Sequence, residues 1–231
     1  MPQLYKEVNF CKSMINLVTF DWNGTLLADT QACMDAGNHV IETFGGRPLP
    51  RNVYSKVFDF PTLEFYCNQG ADRDALLAND FAGVFHEYYE PRASKCHTRR
   101  GARKVLSWLD DKSIDSVILS NHIKGAIIQQ LQRLSMEEYF AEVLANEDTK
   151  STASGKNKIE RMINYMESID INPRNAVIIG DSPEDIGIGK ELGMRTIAIT
   201  DGYYSTSRLR ASRPDDVVSS LIKVIPILKK Y

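Results

Sequence analysis

No stretch of the chain approaches the ~20 consecutive apolar residues of a membrane-spanning helix, and the N-terminus has no apolar run of signal-peptide length. These two absences lead us to expect a cytoplasmic protein with no membrane partner. Cysteine is scarce: Cys11, Cys33, Cys67 and Cys96 are scattered without a C-x-x-C pair, which excludes a disulfide framework or a cysteine zinc site and fits reduced thiols. Neither sign of charge dominates. With 28 Lys and Arg against 30 Asp and Glu, the formal net charge is -2, so there is no electrostatic case for nucleic acid or an anionic surface, and any anionic ligand has to be captured locally. Internal repeats and low-complexity tracts are also lacking. What remains is 231 residues of ordinary globular composition, enough for one large domain or a core with a modest insertion.

Four short β-rich apolar runs end at polar or small residues: Leu17 to Phe20, Ser116 to Leu119, Ala176 to Ile179 and Thr196 to Ile199, with Val143 to Ala145 a weaker fifth. They read as buried parallel strands. Helical apolar spacing occupies Ala102 to Leu109, Ala126 to Leu134, Lys158 to Met166 and Glu184 to Leu192. The alternation predicts an α/β fold with a doubly wound, Rossmann-like parallel sheet. The exception is the segment from about Thr30 to Thr98, helical in spacing and rich in aromatics but without a strand signal. We expect a catalytic core of residues 1–29 and 99–231 interrupted by a helical cap at 30–98. Within it, Phe58, Phe60, Phe65 and Tyr66 either fill a small core or line a pocket.

In an open parallel sheet, ligands bind beyond the carboxyl ends of the strands. After the first strand stand Asp21, Asn23, Gly24 and Thr25; after the second, Ser120 and Asn121; after the fourth, Gly180, Asp181, Ser182 and Asp185; Lys156 and Lys158 precede that fourth strand. Singly, each has a plainer reading. Asp21 can cap a turn, Ser120 can N-cap the following helix, and Asp185 can serve a first turn behind Ser182 as N-cap and Pro183 as first helical residue. Jointly, a nucleophilic carboxylate, a hydroxyl, an ammonium and further acids on one edge suit phosphoryl transfer.

These residues fall into four ordered motifs: DWNGT at Asp21 to Thr25, VILS at Val117 to Ser120, a lysine in SGKNK, and GDSPED at Gly180 to Asp185. In this order the chain resembles the haloacid dehalogenase superfamily over nearly its whole length, specifically the phosphatase-like branch with a small helical cap that includes phosphoglycolate phosphatase and β-phosphoglucomutase-like members. The resemblance implies a hydrolase acting on a small phosphorylated metabolite. Asp21 would be the nucleophile, and Mg²⁺ would be held by Asp21, the backbone carbonyl of Asn23 and Asp181. Ser120, Asn121, Gly24 and Thr25 would bind the phosphoryl group, Lys156 would neutralise charge with Lys158 as the alternative, and Asp185 would act from behind on Asp181, the metal or the lysine.

The chain departs from the branch at Asn23, where most such phosphatases carry a second aspartate as acid to the leaving group and base to water. An amide cannot exchange that proton, so the expectation is a slowed phosphatase, and Asn23→Asp is expected to raise turnover of alkyl phosphates if no neighbour has taken over the role. Two alternatives stay open. One is a phosphonate hydrolase-like enzyme, a branch that also lacks this aspartate and uses a cap lysine, for which Lys56 is the candidate. The other is a weakly catalytic phosphate-binding regulatory module. Dehalogenation is disfavoured because GDSPED is retained.

Overall fold

A computed structural model of the chain describes residues 14–147 and 158–231. Leu17–Phe20 forms β1, and all four of its side chains are buried. A strand buried on both faces has neighbours on both sides and layers above and below. β1 pairs in parallel with β2 (Asp115–Ile123) on one edge and β4 (Ala176–Gly180) on the other, with Phe20 opposite both Ile118 and Ile179. β3 (Glu142–Asn146), β5 (Arg195–Ile199) and β6 (Asp216–Val218) complete a parallel sheet of order β3-β2-β1-β4-β5-β6. The four expected strands and the weaker fifth are therefore present. β6 had no sequence signal because it is three residues long, lies at the edge and buries only Val218.

Helices cover both faces. α6 (Ala102–Asp110), α7 (Lys124–Leu134) and α10 (Val224–Leu228) pack with β1, β2 and β4 side chains such as Phe20, Ile118 and Ile179. On the opposite face, α8 (Lys158–Ser168) and α9 (Pro183–Leu192) bury Met162, Met166 and Ile188 against Leu17, Val117 and Ile178. Because the strands are parallel, the loops after β1, β2 and β4 share one edge, and the strand order changes direction beside β1.

Between β1 and β2 the chain forms α1 (Thr30–Thr43), α2 (Arg51–Val57), α3 (Thr62–Asn68), α4 (Arg73–Ala78) and α5 (Phe81–Ala93). The segments leading out and back run side by side: Ala28 N–H donates to His97 O at 2.9 Å and Arg99 N–H to Leu26 O at 2.8 Å. Their aromatic side chains form a core of their own in which Tyr54, Phe58, Phe65 and Tyr66 are buried, continuous with Ile186, Ala198 and Tyr204 of the sheet layer.

α9 carries GDSPED onto the sheet, and its seating depends on Gly189. A Cβ there would lie 2.5 Å from the γ-methyls of both Ile178 and Thr196, whereas one on Gly187, on the exposed side of the same helix, would meet nothing within 4 Å. Alanine gains up to about 1 kcal/mol over glycine in a helix, but overpacking costs about 1–3 kcal/mol. Gly187→Ala is therefore expected to raise the urea midpoint, and Gly189→Ala to lower it because the clash outweighs the propensity gain. Equal shifts for the two would contradict this account of the packing.

Candidate active site

At the carboxyl end of β1 the chain places Asp21, nearly buried, against Lys158 from the first turn of α8. Lys158 Nζ donates to Asp21 Oδ1 at 2.8 Å and to Asp185 Oδ1 at 2.6 Å, and its side chain is only 3% exposed. Asp185 is held in turn by the start of α9. Its Oδ2 accepts from Ser182 Oγ at 2.7 Å and from Ser182 N–H at 3.2 Å, while Ser182 Oγ accepts from Asp185 N–H at 3.2 Å. The plainer reading of Asp185 as a capping residue is thus true of one oxygen, and the other oxygen serves Lys158. Burial works against the ammonium, but Asp185, Asp21 and Glu184 outweigh it and hold Lys158 above the ordinary lysine range. Asp21 is pushed the other way: burial, with Asp185 and Asp181 nearby, raises its carboxyl against the lowering effect of Lys158.

Asp181, after β4, completes the acidic group. Its Oδ1 accepts from Thr25 Oγ1 at 3.1 Å and its Oδ2 from Tyr203 N–H at 2.5 Å. Burial, reinforced by Asp185, pushes it up to about 7 despite these donors and Arg99. Gly24 is required beside it: its φ is +73°, and a Cβ would stand 2.5 Å from Asp181 Oδ2. Arg99 fixes the loop from outside, donating to Gly24 O at 2.5 Å and Thr200 O at 2.6 Å. Carboxylate oxygens of Asp21, Asp181 and Asp185 lie within 4.8 Å of one another. Three buried acids facing one ammonium leave an excess of negative charge, and an all-oxygen donor set fits a hard divalent cation that would relieve it.

Ser120 is a residue of β2 and caps no helix, since α7 begins at Lys124 behind Ile123. It is buried, accepts from His122 N–H at 3.1 Å and reaches Asn23 Oδ1 at 3.5 Å. Asn121 donates to Glu184 Oε2 at 2.8 Å. Asp21, Asn23, Ser120, Asn121, Lys158 and Asp181 line one cavity. Thr25 is fully buried behind them. Lys156 lies outside the described residues. Phe58, Phe60 and Tyr66 reach the same cavity while belonging to the aromatic core, and Phe65 stays within that core. Lys56 is exposed on α2 and is not among the cavity's lining residues.

Asn23 answers to residues that sequence reasoning did not single out. Its amide donates to Asp29 Oδ2 at 2.8 Å and to the Tyr89 hydroxyl at 2.7 Å. Asp29, fully buried, also accepts from Gly24 N–H at 2.7 Å, Tyr89 Oη at 2.5 Å and Tyr203 Oη at 2.7 Å. Three of these four donors converge on Oδ2 and one reaches Oδ1, so the buried carboxylate is well supplied with hydrogen bonds. A lone aspartate eight residues beyond Asp21, followed by tyrosines far along the chain, carries no motif by which this could have been found.

A family model described as Haloacid dehalogenase-like hydrolase matches residues 18–199. The pyrophosphatase PpaX of Halalkalibacterium halodurans is 19% identical over 93% of this chain and 97% of its own length. The phosphoglycolate phosphatase of Neisseria meningitidis serogroup A is 24% identical over 91% of this chain and 92% of its own. Among solved structures, a predicted phosphatase from Clostridium acetobutylicum overlays with a TM-score of 0.77 at 20% identity, covering 94% of this chain and 98% of that one. A haloacid dehalogenase-like hydrolase from Streptococcus pneumoniae overlays with a TM-score of 0.72 at 18% identity, covering 92% and 98%. At these identities the overlays establish a shared fold.

Asp29 bears directly on the gain expected from Asn23→Asp. The new carboxylate would replace a donor 2.8 Å from Asp29 Oδ2 and set a half-buried acid against a fully buried one. Like charges so close raise at least one pKa in the folded state. Such a group stabilises the fold below its unfolded pKa, about 3.9, and that stability is lost as pH rises through the folded value. Thermal melts of Asn23→Asp should match wild type most nearly near pH 4 and fall behind as pH rises, by roughly 1–3 kcal/mol at neutral pH. A pH-independent difference would remove the Asp29 contact from the explanation.

Proposed function

Because the chain belongs to the haloacid dehalogenase-like hydrolase family, we propose that it is a Mg²⁺-dependent phosphatase. It hydrolyses a small phosphorylated metabolite through an aspartyl-phosphate on Asp21. The observation that carries this reading is the placement of Asp21: one oxygen is held by Lys158, and Asp181 stands beside it on the same cavity. A carboxylate nucleophile and a phosphate dianion repel, so the attack needs cationic charge next to it. Asp21, Asp181 and the backbone carbonyl of Asn23 would hold Mg²⁺, which would supply electrostatic stabilisation of the transferring phosphoryl group. Lys158 orients Asp21 and offsets charge, while Lys156 remains a second candidate for that task. Ser120, Asn121 and the loop at Gly24 and Thr25 bind the phosphoryl oxygens, and Asp185 holds Lys158 in place.

Residues 30–98 act as a cap over this centre. The core residues contact only the phosphoryl group, so selectivity falls to the cap side of the cavity, where Phe58, Phe60 and Tyr66 stand. Pyrophosphate and phosphoglycolate, the compounds in the relatives' names, are compact phosphorylated anions. With the Asn23 amide committed to Asp29 and Tyr89, acid-base assistance to the leaving group is weak. Positioned proton transfer is worth about 10²- to 10⁴-fold, so alkyl esters should react slowly and aryl phosphates relatively well. The phosphonate reading draws no support from Lys56, which is exposed and away from the cavity lining.

The test is a panel of phosphomonoesters, phosphonates and pyrophosphate with and without Mg²⁺. Asp21→Asn and Asp181→Ala are expected to fall to background and Lys158→Ala to lose about 10²-fold or more in kcat, with Lys156→Ala run alongside. Substantial turnover by Asp21→Asn would overturn the covalent mechanism, and metal-dependent binding with background rates in the wild type would favour a binding module.

Phe60→Ala is expected to change KM and selectivity while leaving kcat for aryl phosphates within about a factor of ten, the pattern of lost uniform binding. Unchanged kinetics on every substrate would move the pocket elsewhere.

A further inference from the structure

A second cluster of ligating side chains lies on the cavity's cap side, apart from the carboxylates that hold Asp21's surroundings. α5 carries His86 and Glu90 one turn apart, and β2 brings His122 to the same place, two residues beyond Ser120. Glu90 Oε1 lies 3.1 Å from His86 Nδ1 and 3.4 Å from His122 Nε2. The two imidazoles are stacked, with centroids 5.5 Å apart and planes at 19°, so both rings present a nitrogen to one carboxylate oxygen. One potential ligand atom from each residue lies within 4.8 Å of the others. Both histidines are buried and line the cavity, whereas Glu90 lies outside that lining and is partly exposed.

We propose that His86, Glu90 and His122 form a binding site for a divalent transition ion of the zinc class, distinct from the hard-cation site at Asp21 and Asp181. The donor chemistry separates the two: imidazole nitrogen favours Zn²⁺ and its neighbours, while Mg²⁺ prefers oxygen. The spacing also fits. Bonds of about 2.0–2.1 Å in tetrahedral array set ligand atoms about 3.3 Å apart, close to the two distances to Glu90. Two histidines and a carboxylate with the cavity on the remaining side give three protein ligands and one open position. That arrangement belongs to zinc sites that accept water or a substrate oxygen, in contrast to closed structural sites. The ion joins α5 to the strand that carries Ser120, and so couples the helical insertion to the sheet edge. Without an ion, His86 is hydrogen-bonded to Glu90 and His122 stands 3.4 Å from the same oxygen, and the experiment separates the two states. The inference does not depend on what Asp21 does.

Protein stripped of metal should be titrated with Co²⁺ in excess Mg²⁺, following the visible absorption of the bound ion and the metal content after gel filtration. One Co²⁺ per chain with a low-symmetry, imidazole-type spectrum is expected, displaced by Zn²⁺ and retained in Asp181→Ala. Glu90→Gln keeps the size of a partly exposed side chain, and it should weaken Co²⁺ binding tenfold or more. His122→Gln should abolish the spectrum, with far-UV circular dichroism confirming the fold. Absence of Co²⁺ binding in wild type under excess Mg²⁺, or binding lost in Asp181→Ala but unchanged in Glu90→Gln and His122→Gln, would overturn the proposal and leave a metal-free contact of Glu90 with the two imidazoles.

Discussion

A single buried ammonium between two buried carboxylates organises the sheet edge. Lys158 comes from α8, Asp21 from the end of β1 and Asp185 from the first turn of α9, so three separate stretches of chain meet at one nitrogen. A charge buried this deeply persists only with partners in good geometry, and removal of any one of the three leaves another uncompensated. The capping box at Ser182 is part of the same device, because it holds the Asp185 carboxylate with one oxygen on the helix and the other on Lys158. One carboxylate therefore serves both the helix end and the buried lysine.

Around that nitrogen the charge does not balance. Asp21 and Asp181 both have their ionised forms disfavoured by burial and by the nearby Asp185 carboxylate, while Lys158 and Arg99 are already engaged. Such an all-oxygen group suits a hard divalent cation, the charge that the proposed reaction calls for. Under the proposed function, this is how a chain with nearly neutral overall charge would hold a phosphate group without a basic surface. Asp29 presents the opposite case, a buried carboxylate satisfied entirely by neutral donors from Asn23, Gly24, Tyr89 and Tyr203. Seen from Asp29, the amide at position 23 is the side chain that fits: it donates where a second acid would repel.

The tyrosines of that network also bind the helical insertion to the sheet. Tyr89 lies on α5 and Tyr203 follows β5, and both donate to Asp29 at the exit from the β1 loop. The aromatic side chains of the insertion serve two ends at once. Phe58 and Tyr66 are buried in a core shared with Ile186 and Ala198, yet they reach the cavity above Asp21. Core filling and pocket lining are alternatives only when an aromatic cluster is isolated from the sheet, which this one is not.

Local pattern alone determined much of this protein. The runs Leu17 to Phe20 and Ala176 to Ile179 are short, β-rich and uniformly apolar, which is what strands covered on both faces require, and each ends at the residues that matter. Four polar groups following strands in a parallel sheet must share an edge, so Asp21, Ser120, Asp181 and Asp185 were legible together. β6 was not, because three residues at a sheet edge bury too little to leave a pattern. Nor were the partners of Asn23, since Asp29, Tyr89 and Tyr203 are brought together across 174 positions of chain by tertiary packing. The same holds for His86, Glu90 and His122, which have no common motif and meet only because α5 packs near the end of β2. Sequence periodicity reports which face of an element is buried; which side chains meet across elements is decided by how those elements pack, and there the amide at position 23 acquires its reason.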